Sequence, residues 1–257
     1  MCIRDSPSFA SLLQPPPPCE TPPSLLVCGG IDYGAGAPST FAPLPATKFE
    51  AEGIAALFHA SFGAAATTLG GKEATAAALR RLAPEQRFVH LATHGWLVPD
   101  PAPATESDAR SGRDRSVALP KDPFGSVRAL APMTLCGLAL TGSGRITAEE
   151  VAGLDLSGCE MVVLSACDTS LGVDPKRAGQ AMQSLQSALH AAGARRSITS
   201  LWKVDDVATL DLMKELYRGL WTAKLPASEA LWRAKKKLRD AGEPTKRWAG
   251  WVLAGPD

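Results

Sequence analysis

Two side chains in this sequence can do covalent chemistry together: the thiol of Cys167 and the imidazole of His94. A thiolate is a strong nucleophile, and a neighbouring histidine can take its proton and later return it to a leaving group. Each residue follows a short apolar run. Met161-Val162-Val163-Leu164 leads through Ser165-Ala166 to Cys167-Asp168-Thr169, and Phe88-Val89-His90-Leu91 leads through Ala92-Thr93 to His94-Gly95. Apolar runs this short, the first rich in β-branched residues, read as strands buried on both faces of a parallel sheet. Ligands bind at the carboxyl ends of such strands, which is where both residues fall.

Spacing separates these two from their neighbours. Cys159 and Cys167 are eight positions apart on one strand, about 26 Å at the usual rise, so they cannot share a site. His90 and His94 are about 13 Å apart by the same count, and only His94 reaches the strand end. His59 and His190 fall on helical segments with no evident partner. Each candidate also has a bland reading. A lone buried cysteine is often a small apolar residue, and a strand-end histidine often only satisfies backbone groups. The joint placement favours chemistry, and the residue pattern by itself leaves both readings open.

The elements that must position the pair alternate. Ser24 to Ile31 reads as a buried strand, followed by a Gly/Pro/Ser-rich loop to Pro45. Thr47 to Ala60 is a helix with Phe49, Ile54, Leu57 and Phe58 at core spacing and Glu50 and Glu52 facing its positive end. Ala66 to Leu69 is a strand, Lys72 to Ala83 a helix, and Phe88 to His94 a strand. This β-α-β-α-β order predicts a parallel sheet in an α/β fold. Residues 99–127 read as a flexible insertion with little to bury. Leu135 to Leu140 is an expected edge strand, and Thr147 caps a brief helix. After the cysteine strand come a helix over Arg177 to Ala192 and a strand over Arg195 to Trp202. A helix capped by Asp205 or Asp206 follows, then one opened by Pro226 with Lys235-Lys236-Lys237 on its solvated side, then a last strand from Trp248 to Leu253.

Composition sets outer bounds. The 257 residues are 45% hydrophobic and 21% charged, and Lys+Arg of 27 against Asp+Glu of 26 leaves a net charge of +1. That balance gives no electrostatic reason for a nucleic-acid or membrane partner. No apolar run approaches the ~20 residues that span a bilayer. The six cysteines form no C-x-x-C pair, so neither a metal nor another cofactor is called for. Reduced thiols and a cytoplasmic location are expected. Residues 1–23 read as a proline-rich linker ahead of a domain over 24–257. The opening Met1-Cys2-Ile3-Arg4-Asp5-Ser6 resembles a sequencing-adapter artefact, which implies a chain that begins further upstream.

Several blocks then fall into a familiar order. His90-Leu91-Ala92-Thr93-His94-Gly95, Leu164-Ser165-Ala166-Cys167-Asp168-Thr169, Ala192-Gly193-Ala194 and Ser200-Leu201-Trp202-Lys203-Val204-Asp205-Asp206 resemble successive blocks of the CHAT domain. That is a caspase-like peptidase domain often found after tetratricopeptide repeats. Ile146-Thr147-Ala148-Glu149-Glu150 and the closing Trp248-Ala249-Gly250-Trp251-Val252-Leu253 are similar too. The resemblance implies a caspase-type α/β/α sandwich with a mostly parallel central sheet. It also implies a cysteine endopeptidase with His94 and Cys167 as a Cys-His dyad and no required third member. Ser170 stands where the family often has glycine, and Val173 to Lys176 lacks the usual Gly-Glu-Gly run.

On that footing, the backbone N–H groups of Gly95 and Cys167 would hold the oxyanion. Trp202 would wall the substrate pocket, and Asp168 and Asp205 would attract a basic side chain. Asp205 also reads as a helix cap and Asp168 as a turn residue. The implied partners are a protein substrate and an upstream helical-repeat region or regulatory protein. One rival is a non-catalytic caspase-fold scaffold. The other is a Cys-His hydrolase or amidotransferase on another α/β fold, but Ser165-Ala166-Cys167-Asp168-Thr169 lacks the glycines of a nucleophile elbow.

Overall fold

The computed structural model describes residues 21–34, 41–98, 132–165, 175–202 and 204–257. Its centre is a six-stranded sheet. In chain order the strands are β1 (Leu25–Ile31), β2 (Thr67–Gly71), β3 (Phe88–Leu91), β7 (Met161–Leu164), β8 (Ser197–Ser200) and β9 (Trp251–Ala254). In space they run β2-β1-β3-β7-β8-β9. All pairings are parallel except the last, where β9 returns antiparallel to β8.

The period-two alternation of the strands divides the core. Leu25, Val27, Phe88, Met161, Val163 and Ile198 pack on one face with helices α1 (Pro45–Phe62), α5 (Asp206–Tyr217) and α6 (Ala227–Asp240). Leu26, Cys28, Val89, Leu91, Val162 and Leu164 pack on the other with α2 (Ala76–Leu82), α3 (Ala148–Ala152) and α4 (Pro175–Ala191). The result is a three-layer α/β/α sandwich of caspase-like form with a mostly parallel sheet. A fully buried side chain such as Phe58 contributes about 2–3 kcal/mol to this packing.

Local sequence sets the helix ends. Pro45 opens α1, Gly63 closes it at φ 69°, and Thr47 Oγ1 donates to Leu44 O while accepting from Gly30 N–H. A Cβ on Gly29 would come 2.3 Å from Thr47 O, so only glycine lets β1 and α1 approach this closely. Thr147 and Glu150 form a full capping box on α3.

Several expectations change. Ile54 and Phe58 are buried and Leu57 packs against the core as expected, but Phe49 is 61% exposed and Glu50 turns inward in its place. The segment expected as an edge strand is β5 (Cys136–Ala139), the middle of a separate antiparallel sheet with β4 (Gly95–Leu97) and β6 (Arg145–Thr147). A Cβ at position 137 would meet Ile146 O at 1.9 Å, so the pairing with β6 requires glycine there. Lys235 folds inward, and its Nζ donates to Ala249 O and Trp251 O. Strand β3 ends at Leu91, so His94 lies beyond the sheet, at the entry to β4. The expected insertion at 99–127 lies outside the described residues.

Candidate active site

β3 and β7 are in-register neighbours, with Leu91 opposite Leu164, and Ser165 N–H donates to Leu91 O at 2.9 Å. Their chains therefore leave the sheet side by side at its carboxyl end, one toward His94 and the other toward Cys167. Cys167 and Asp168 lie outside the described residues. β8 flanks β7, with Thr199 opposite Leu164, and Trp202 follows two residues after its end.

His94 is enclosed, with 0% exposure. The Phe41 ring stacks on the imidazole with centroids 5.3 Å apart at 23°, and the Tyr33 ring lies tilted at 5.1 Å. Arg145 brackets this cluster from outside, with its guanidinium 5.4 Å from the Phe41 ring and 5.2 Å from the Trp96 ring. The Nε2 atom lies 2.7 Å from the carbonyl oxygen of Ala42. A carbonyl only accepts, so Nε2 carries the proton and, in the neutral ring, Nδ1 holds the lone pair.

Gly95 opens β4 and is buried. Ala139 N–H donates to His94 O and Val98 N–H to Leu135 O, each at 2.8 Å. This antiparallel alternation puts the inter-strand bonds at even-numbered residues of β4 and aims the Gly95 N–H away from β5.

On the far side, the Trp202 indole is 40% exposed, and its Nε1 donates to Lys246 O at 2.7 Å. Gly250 lies against the ring, where a Cβ would come 2.7 Å from it, so one face is backed and the other is open. Asp205 caps α5, its Oδ1 accepting from Val207 N–H and Ala208 N–H at 3.1 Å. Its Oδ2 lies 3.5 Å from the Arg247 guanidinium.

Two of the remaining histidines, His90 and His190, have partners that sequence spacing did not suggest. His90 Nδ1 meets the Tyr217 hydroxyl and Nε2 meets Glu50 Oε1, both at 3.0 Å and buried. Burial pushes the Tyr217 phenol well above its ordinary range, and Glu50 adds to the effect. A protonated phenol can donate to Nδ1 while Nε2–H donates to Glu50. His190 bonds Ala194 O and Ser197 Oγ, at 3.0 and 3.1 Å. The groups missed around His94 are Ala42, Phe41 and Tyr33. A backbone carbonyl leaves no mark in a sequence, and the one available signal was a lone phenylalanine in a loop of small residues.

A family model for the CHAT domain matches residues 5–256. The chain belongs to the CHAT domain family. Among solved structures, this CHAT domain is similar to the Arg-specific cysteine proteinase gingipain R. The TM-score is 0.52 at 12% identity, over 90% of this chain and 46% of that one. A complex of Porphyromonas gingivalis RgpB pro- and mature domains matches with a TM-score of 0.50 at 13% identity, over 90% of this chain and 47% of that one. Protein GSU0716 from Geobacter sulfurreducens matches with a TM-score of 0.51 at 16% identity, over 92% of this chain and 95% of that one. The CHAT domain thus spans about half of the gingipain chains and shares their fold. No curated protein sequence matches. Among the described residues, no helix is long and apolar enough to cross a membrane, and no group of His, Cys, Asp and Glu could hold a metal ion.

Proposed function

We propose that this CHAT domain is a cysteine endopeptidase built on His94 and Cys167. The observation that carries the proposal is the bond from His94 Nε2 to Ala42 O, at the carboxyl end of the sheet beside the strand that leads to Cys167. It turns Nδ1 into the base and supplies a third, backbone member that orients the ring.

In this mechanism Nδ1 takes the Cys167 proton, and the thiolate sulfur bonds to the carbonyl carbon of the scissile peptide. The negative charge that develops on the carbonyl oxygen is met by the N–H groups of Gly95 and Cys167. The tetrahedral species collapses as the C–N bond breaks, and the Nδ1 proton goes to the departing amine. Water, deprotonated by the same nitrogen, then cleaves the thioester and restores the thiol.

The exposed face of Trp202 forms the apolar wall of the pocket for the side chain before the cleaved bond. Asp168 and Asp205 supply negative charge for a basic side chain, in line with the Arg specificity named for gingipain R. Arg247 already faces the outer oxygen of Asp205, so an arriving cation must compete with it. The substrate is a protein, and an attached or partner sensor module regulates access.

A scaffold role is the second reading, and the full enclosure of His94 under Phe41 and Tyr33 favours it. Cleavage of a peptide library by the wild-type protein, abolished in C167A, supports the peptidase. Undiminished cleavage by C167A rejects it, and failure of a peptide-like electrophile to label Cys167, even with a partner added, favours the scaffold. Absence of any Lys or Arg preference discards the acidic pocket.

A further inference from the structure

The turn that carries His94 is held by a hydrogen-bond chain whose direction is forced. Thr93 Oγ1 lies 2.5 Å from the carbonyl of Ala139, which only accepts, so the threonine proton is committed there. The Tyr33 hydroxyl lies 2.8 Å from the same Oγ1 and must therefore donate to it. The lone pairs of the phenol oxygen remain on the side of the His94 backbone N–H, whose dipole favours them. Ala139 N–H closes the circuit on His94 O at 2.8 Å. Tyr33 is buried, and burial pushes its phenol up to about 12, so this direction holds throughout the neutral range. A residue needed only to fill space here could be phenylalanine, because a buried hydroxyl is costly unless it is bonded.

We propose that Tyr33 is a positioning residue for His94. Its hydroxyl holds the Thr93 side chain, which ties the turn at residues 93 and 94 to Ala139, and its ring, 5.1 Å from the imidazole, fixes the plane in which Nδ1 is presented. The same backbone sets the direction of the Gly95 N–H. Tyr33 lies two residues past the end of β1, so the strand flanking β3 on the side away from β7 buttresses the histidine. The consequence for catalysis rests on the peptidase reading above.

The test is the rate at which iodoacetamide alkylates Cys167 near neutral pH, followed by peptide mass mapping in wild type, H94A, Y33F and T93V. Thermal unfolding is recorded for each. H94A is expected to slow alkylation by tens of fold, because the imidazole no longer takes the thiol proton. Y33F keeps the ring and should slow it about five- to tenfold, the effect of losing one orienting hydrogen bond. T93V cuts the same chain one link further on, and the double variant should be no slower than the slower single one. A slow H94A with Y33F and T93V at the wild-type rate, whatever their melting temperatures, overturns the role of Tyr33 and leaves the peptidase reading standing. An H94A rate equal to wild type overturns both.

Discussion

His90 and His94 are four positions apart and both are 0% exposed, yet their surroundings differ. His90 faces α1 and α5 and has a side-chain partner on each ring nitrogen, Tyr217 and Glu50. Both partners ride on helices that pack on that face, so the imidazole ties three elements together. His94 stands beyond the sheet, where a backbone carbonyl fixes one nitrogen and aromatic rings confine the plane. A ring tied at both nitrogens is a cross-brace. His94, oriented by a backbone carbonyl and flanked by rings at the carboxyl end of the sheet, suits the base of the proposed mechanism.

Replacing each histidine by alanine tests this contrast and should give the largest effects. H94A is expected to lower peptide hydrolysis by about 10²- to 10⁴-fold, with a stability loss of about 1–2 kcal/mol from the emptied ring stack and the unpaired Ala42 carbonyl. H90A should do the reverse, costing about 3 kcal/mol of stability because Glu50 and Tyr217 lose their partner inside the core. Activity per folded molecule should stay within a few-fold. Steady-state kinetics beside urea unfolding of both variants checks the pair, and equal stability losses would erase the distinction.

Within the His90 brace, Y217F removes one hydroxyl and should cost about 1 kcal/mol, less than H90A. The combined Y217F and H90A losses should fall short of their sum, since the two side chains share one bond. Additive losses would show that the brace does not act as a unit.

Much of the frame around both histidines was legible, and the reasons are local. The runs that became β1, β3, β7 and β8 are short and apolar because both sheet faces are covered, and the caps at Thr147 and Asp205 are ordinary side-chain chemistry. Glu50 was misread because an acid in a first helical turn looks the same whether it meets the helix dipole or a buried imidazole. Lys235 was misread because its stem can follow apolar surface to an inward carbonyl, which a run of lysines does not reveal. The β4-β5-β6 sheet joins segments separated by a long stretch of chain, so no local pattern announces it. Ala42 contributes through its backbone, which every residue possesses.

Alkali should probe the core on the sheet face opposite His90. Burial pushes the Cys28 thiol up to about 12, as it does the Tyr33 phenol. Above the ordinary thiol range near 9, the unfolded chain releases the Cys28 proton while the folded chain retains it, so stability falls as pH rises toward about 12. Each pH unit in that window costs about 1.4 kcal/mol per group. Urea unfolding at successive pH values should therefore show a shallower decline in C28A than in wild type. Parallel declines would mean that Cys28 titrates freely.

The smallest effect is expected at the pocket. D205A should cost about 1 kcal/mol through the lost α5 cap, and D205N less. If Asp205 also draws basic side chains, D205N should weaken the Lys or Arg preference without altering cleavage after apolar residues. An unchanged preference would leave Asp205 as a cap alone.

The most direct measurement is a crystal structure with a peptide-like electrophile bonded to Cys167, which yields the distance from the sulfur to each nitrogen of the two imidazoles. Nδ1 of His94 should lie within about 4 Å of that sulfur, with Nε2 still on Ala42 O and His90 far away. A sulfur that opens onto a different surface, or one that faces Nε2 with the Ala42 bond broken, would contradict the assignment of His94 as an oriented base.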